Sequence, residues 1–120
     1  MLPKKNRLDK KIVENIFKNG SFVNSSNLTL KFISNKNTTP PRFSFITPKT
    51  ASKKAVVRNL LRRRGYTVLK KYFKNFHNGF VGAFVFGKES VEVFGGRKNK
   101  TYNPILNLEN EIKNILSKIH

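Results

Sequence analysis

Lys53-Lys54-Ala55-Val56-Val57-Arg58-Asn59-Leu60-Leu61-Arg62-Arg63-Arg64 is the densest cluster of charge in this 120-residue chain and opens its longest periodic segment. From Lys54 to about Phe76, Val57, Leu61, Val68 and Tyr72 recur on one stripe. Arg63, Lys70 and Lys74 fall on the opposite side, and Arg58 and Arg62 run along one edge of the stripe. The spacing predicts a long amphipathic helix, with Thr50 or Ser52 placed to cap it. A solvated charged helix usually sets Glu four residues from its Lys and Arg; this one contains no acid. Gly65 sits inside the apolar stripe, where it costs about 1 kcal/mol relative to Ala. It predicts either close packing or a bend.

On both sides of this helix the period changes to two. Leu28, Leu30 and Phe32 alternate with Thr29, Lys31 and Ile33, and Phe43 and Phe45 alternate with Ser44 and Ile46. The polar stretch 35–41 (NKNTTPP) separates these two strands, and the reading makes them an antiparallel hairpin ended by Pro48. Residues 79–86 (GFVGAFVF) form an apolar run of strand length, suited to a central strand buried on both faces. Pro104 starts a final helix whose apolar positions are Ile105, Leu108, Ile112, Ile115 and Ile119. Near the other end, Asp9 is placed to cap a short helix carrying Ile12, Val13, Ile16 and Phe17, stopped at Asn19-Gly20. Met1 to Leu8 reads as a flexible basic arm, and Gly95 to Lys100 as a basic loop. The order is helix, strand, strand, long helix, strand, helix: an α+β fold in one domain over residues 1–120, a small sheet packed against helices.

Charge narrows the function classes. Twenty-five Lys and Arg face six Asp and Glu, a formal +19. Between Glu14 and Glu89 there are fifteen cations and no acid. Surfaces evolved only for solubility intersperse both signs, so a one-sign interval inside a phenylalanine-rich domain points to a polyanion, and foremost to nucleic acid. A membrane-surface protein would concentrate its cations on one amphipathic helix; here they spread over helices, strands and loops. DNA-binding helix-turn-helix spacing is absent. With no cysteine, disulfides and thiolate metal sites are excluded. No apolar run approaches a membrane span, and no apolar signal core follows the basic start, which makes a cytoplasmic location the simplest expectation.

Arg guanidinium forks match phosphate geometry, and Asn beside Arg can bond a sugar or a base edge. Val13 and Phe17, four apart, read as core by composition, but Ile12 and Ile16 on the neighbouring stripe leave a groove-lining role open. Aromatics beside cations are how single strands are held. Nothing supports catalysis by the protein. His77 and His120 lie in a loop and at the last residue, and the six carboxylates are too scattered to hold a pair of metal ions.

With these residues in view, the chain resembles the protein component of bacterial ribonuclease P over nearly its whole length. The resemblance is carried by Leu2-Pro3-Lys4-Lys5-Asn6-Arg7-Leu8, by a first helix ending Ile16-Phe17-Lys18-Asn19-Gly20, and by Arg42-Phe43-Ser44-Phe45 leading through Lys49 into Lys53-Lys54-Ala55-Val56-Val57-Arg58-Asn59. The last of these is the most specific. An apolar strand and an amphipathic terminal helix complete it.

The resemblance implies an α-β-β-β-α-β-α-like sandwich with a left-handed crossover. It also implies that a large catalytic RNA with Mg²⁺, held mainly by that RNA and the substrate, performs the hydrolysis. The protein, with no catalytic residue of its own, would bind the ribonuclease P RNA and the 5′ leader of precursor tRNA. Carried over by position, Lys49, Lys53, Lys54, Arg58, Asn59, Arg62 and Arg63 fall to RNA binding, with Arg64 as a substitute for the arginine that Leu60 replaces. Val13 and Phe17 fall to the leader cleft. Lys31 stands where the family often has an aromatic, and is expected to supply a phosphate contact instead. The alternative from a different class is a ribosomal-type structural RNA-binding protein, which would share size and charge but need not have the opening signature or Arg58-Asn59.

Overall fold

In the computed structural model, which describes residues 8–36, 38–97, 99 and 101–119, Asp9 caps the first helix as its position predicts. Its Oδ1 accepts a hydrogen bond from the Ile12 N–H at 3.0 Å, and helix α1 runs Lys10–Asn19. Gly20 ends it because a side chain there would collide with backbone: an added Cβ would stand 2.5 Å from the Ile16 carbonyl oxygen and 2.7 Å from that of Phe32. The basic arm before Leu8, residues Lys98 and Lys100 of the basic loop, and His120 lie outside the described residues.

Four strands follow the alternation of the sequence into one sheet: β1 (Ser21–Asn24), β2 (Leu28–Ser34), β3 (Arg42–Ile46) and β4 (Phe80–Phe86). Their spatial order is β1-β2-β4-β3. The expected hairpin between the strands at 28–33 and 43–46 is therefore corrected. These strands do not pair; β4 lies between them, antiparallel to β2 and parallel to β3. The physical reason lies in β4 itself. Its run is apolar on both faces, and the central position is the one that buries both. Short β1 was not legible in the residue pattern, although the resemblance implied three strands before the long helix.

Register divides the sheet into two faces. Val23, Leu30, Phe84 and Phe45 form one row of the inner face, and Phe32, Gly82 and Phe43 the next. This face packs on helix α2 (Ala55–Tyr72), short helix α3 (Ser90–Phe94) and helix α4 (Pro104–Ile119). The Phe45 ring stacks on Phe84 at 4.8 Å between centroids and meets Tyr66 edge-on at 5.0 Å. Gly65 faces Phe45, so close packing, not a bend, explains the glycine. Each fully buried Phe or Leu here contributes roughly 1.5–3 kcal/mol relative to exposure. The outer face carries Phe22, Lys31, Ala83 and Ser44 in one row, with Thr29, Val85 and Ile46 on one side of it and Ile33, Val81 and Arg42 on the other. Helix α1 lies across this face, burying Ile16 completely.

Other details depart from the sequence reading. Helix α2 ends at Tyr72, and a 3-10 turn at Phe73–Asn75 replaces its expected last turn. Neither Thr50 nor Ser52 caps it; Lys54 occupies the cap position, and Ser52 Oγ accepts from the Lys54 N–H at 3.2 Å. Helix α3 was not foreseen. Ile105, read as core, is 39% exposed because the buried stripe of α4 runs through Pro104, Leu108, Ile112 and Ile115 and leaves it to one side.

Candidate nucleic-acid interface

The α2 N-terminus carries a peculiarity of local chemistry. Helices favour Ser, Asp or Asn at the cap and acids in the first turn, worth about 0.5–2 kcal/mol for the cap alone. Here Lys54 holds the cap position without a side-chain bond, and the first turn has no acid. The positive end of the helix dipole thus adds to Lys49, Lys53 and Lys54, all exposed. Such an end attracts anions.

Further along α2, Arg58 is half-buried, and its Nη1 donates to the Ser52 carbonyl at 3.1 Å, fixing the segment that brings in Lys53 and Lys54. Asn59 is exposed, and its Oδ1 accepts a hydrogen bond from Arg62 Nη2, which presents the two side chains together. Arg63 is exposed. Arg64 differs: its Nη1 donates to the carbonyls of Phe94 and Gly96 at 2.6 and 2.8 Å, tying α2 to the end of α3. That nitrogen serves the fold.

The cations are scarcely neutralised from within. Among the described residues one ion pair forms, Lys71 Nζ to Glu109 at 3.7 Å. Three of the six carboxylates are committed elsewhere. Asp9 caps α1, and Glu111 accepts from the backbone and side-chain N–H groups of Asn27 at 2.6 and 3.1 Å. Glu109 accepts from the Tyr72 hydroxyl, which holds its pKa below the usual value, assisted by Lys71 and Lys113; the same bond raises Tyr72. No three His, Asp or Glu side chains among the described residues are grouped to hold a metal ion.

A second exposed surface lies on the outer sheet face. One flank of α1 presents Val13, half-buried, and Phe17, 42% exposed. The Lys31 ammonium sits over the Phe17 ring, 4.7 Å from its centroid. Ile16 and not Phe17 fills the core. The floor beyond is half-exposed Ser44, Ile46, Thr29 and Val85. Thr47 follows the last residue of β3, three steps or about 10 Å of extended chain from Ser44, and its hydroxyl donates to the Arg58 carbonyl. The chain thus runs from this floor along β3 directly into the cationic start of α2.

Sequence reading missed Arg42 and Phe22. Arg42, on the other flank of α1, lines a concavity of about 230 Å³ with Ile12, Asn15, Asn35 and Gly79, and its buried Nε has no hydrogen-bond partner among the described residues. Phe22 is 63% exposed. Its signal, an aromatic opposite a strand lysine, emerges only when the register of β1 is known. No helix among the described residues is long and apolar enough to cross a membrane.

The sequence profile of the family described as Ribonuclease P matches residues 2–119. No match is found among curated protein sequences. Among solved structures, the chain is similar to the ribonuclease P protein of Staphylococcus aureus, with a TM-score of 0.77 and 16% identity, covering 97% of this chain and 96% of that one. It is equally similar in shape to the ribonuclease P protein of Thermotoga maritima, with a TM-score of 0.77 and 20% identity, covering 95% and 97%.

Proposed function

Since the chain belongs to the ribonuclease P protein family, matched over residues 2–119, we propose that it is the protein subunit of a ribonuclease P ribonucleoprotein that matures the 5′ ends of tRNA. In this reading it binds the catalytic RNA and the 5′ leader of precursor tRNA. The observation that carries it, beside the family, is the acid-free cationic start of α2, entered directly from β3, whose outer residues share a sheet face with Lys31 and the overlying Phe17. One macromolecule of stacked bases and phosphates satisfies both features: phosphates meet Lys49, Lys53, Lys54, Arg58, Arg62 and Arg63, and unpaired bases meet apolar surface.

Chemistry is assigned to the RNA. Of the six carboxylates, Asp9 caps a helix, Glu111 bonds Asn27 and Glu109 bonds Tyr72; in this reading Mg²⁺ is left to RNA and substrate oxygens, which suit it as a hard cation. The protein contributes charge. Two polyanions repel, and a subunit with 19 excess positive charges lowers the Mg²⁺ needed to bring them together.

The test is cleavage of precursor tRNA by protein alone, ribonuclease P RNA alone and both, across a Mg²⁺ series. The expected result is no cleavage by protein alone, and a lower Mg²⁺ requirement for the RNA when the protein is present. An unchanged Mg²⁺ requirement would refute the reading.

A further inference from the structure

The Phe22 side chain lies outside the hydrophobic core. It is 63% exposed, while its strand neighbour Val23 turns to the inner face and packs against the core. Register places Phe22 directly across from Lys31, and side chains so paired lie on one face with Cβ atoms about 4.5–5.5 Å apart. Lys31 in turn lies over Phe17. The outer face thus bears a row of Phe17, Lys31 and Phe22, two open aromatic rings on either side of an ammonium, at the edge of the sheet.

An exposed Phe beside a second exposed Phe calls for an occupant. Three kinds are conceivable by chemistry: a second copy of the chain, an apolar partner, or a single-stranded nucleic acid. Charge decides among them. Lys31 stands between the rings, Lys18 follows Phe17, and Glu14 is the one acid on α1. A second copy would bring its own Lys31 and Lys18 into the contact, repelling at close range, and an apolar partner would bury the ammonium unpaired. A single strand instead offers flat bases to the rings and a phosphate to the lysine.

We propose that Phe22 is a base-stacking residue that extends the leader-binding surface across β1, by at least one nucleotide beyond Phe17, with Lys31 holding the intervening phosphate. The inference rests on the reading above and adds to it a reach: the strand leaves the protein over β1, and recognition depends on the leader being long enough to arrive there. Phe22 acts as a length and stacking determinant.

The experiment uses the assembled ribonucleoprotein, with precursor tRNAs whose leaders grow one nucleotide at a time, alongside mature tRNA. Phe22→Ala should weaken binding roughly five- to tenfold, as for one partly exposed base stack, once the leader exceeds a threshold length. Below that length, and for mature tRNA, affinity should not change. Phe22→Tyr should restore the loss, whereas Phe22→Leu, apolar but without a flat ring, should not. The melting temperature of Phe22→Ala should equal that of the parent. Equal losses for mature tRNA, rescue by Leu, or no effect at any length would overturn the proposal. So would a change in the sedimentation of the free protein, which would indicate a second copy. A parent protein that fails to lower the Mg²⁺ requirement refutes the functional reading itself, and the two failures are thereby distinguished.

Discussion

Gly65 of α2 lies so close to Phe45 of β3 that an added Cβ would come within 2.5 Å of Phe45 Cε1 and 2.6 Å of Cδ1. Phe45 cannot retreat, since it is stacked on Phe84 and braced edge-on by Tyr66. Gly65→Ala gains about 1 kcal/mol of helix propensity against overpacking that typically costs about 1–3 kcal/mol. The expected outcome is a net loss of stability, read as a lower melting temperature. A more stable variant would show that the ring yields.

The basic residues of α2 should separate into two kinds. Arg64→Ala loses two charge-assisted bonds to the Phe94 and Gly96 carbonyls. It should cost about 1–3 kcal/mol of stability, with RNA affinity reduced less than by Arg63→Ala. Arg63→Ala, at an exposed position, should leave melting unchanged and weaken RNA binding. Thermal melts and filter binding on the same two variants check the division. Loss of RNA affinity without loss of stability in Arg64→Ala would contradict it.

RNA binding should be steeply salt-dependent. If six to eight phosphates are neutralised, the slope of log K against log salt is roughly −4 to −7. With a single ion pair among the described residues to compete, few cations are already spent. A slope shallower than about −2 would exclude a broad cationic interface.

The Tyr72–Glu109 bond, which joins α2 to α4, gives a pH signature. Glu109 is held below its ordinary 4.5 by the Tyr72 bond first and then by Lys71 and Lys113. Its contribution is therefore full above that value and lost as pH falls through the lowered folded value. Tyr72 is raised above 10.0, chiefly by the same bond, so its contribution is full below 10.0 and lost as pH rises through the raised value. Glu109→Gln should thus be less stable than the parent at neutral pH, and the gap should narrow in acid. Urea unfolding of both proteins between neutral and acid pH measures it; a constant gap would show that the bond does not depend on ionisation.

The legible parts of the molecule were those that local chemistry determines. Asp9 and Gly20 bound α1, Pro104 opens α4, and Gly65 announced a close neighbour, because capping and packing at those residues act within a turn or at one contact. Strand partnership was not legible. The alternation at 28–33 and 43–46 says that each strand has two faces, but says nothing of which edge it meets, and the apolar run of β4 claimed both. The site divided in the same way. Lys53, Lys54, Arg58 and Asn59 stood out by density, while Phe22 and Arg42 became visible only through cross-strand register and the concavity beside α1. Arg64, indistinguishable from its neighbours in sequence, is set apart by two carbonyls that come from thirty residues away.

The insertion of β4 between β2 and β3 has a consequence for how the chain is made. During synthesis, β2 and β3 emerge with no shared partner, and the strand that joins them follows only after the whole of α2. Until Phe86 is free, β2 has only the short β1 beside it, and Phe43 and Phe45 of β3 have no strand neighbour at all. Pairings so distant in sequence are slow to form, and exposed apolar strands invite aggregation meanwhile. The long cationic helix appears in that interval, so the nascent chain carries a dense positive charge just when it most needs to be kept from its own kind.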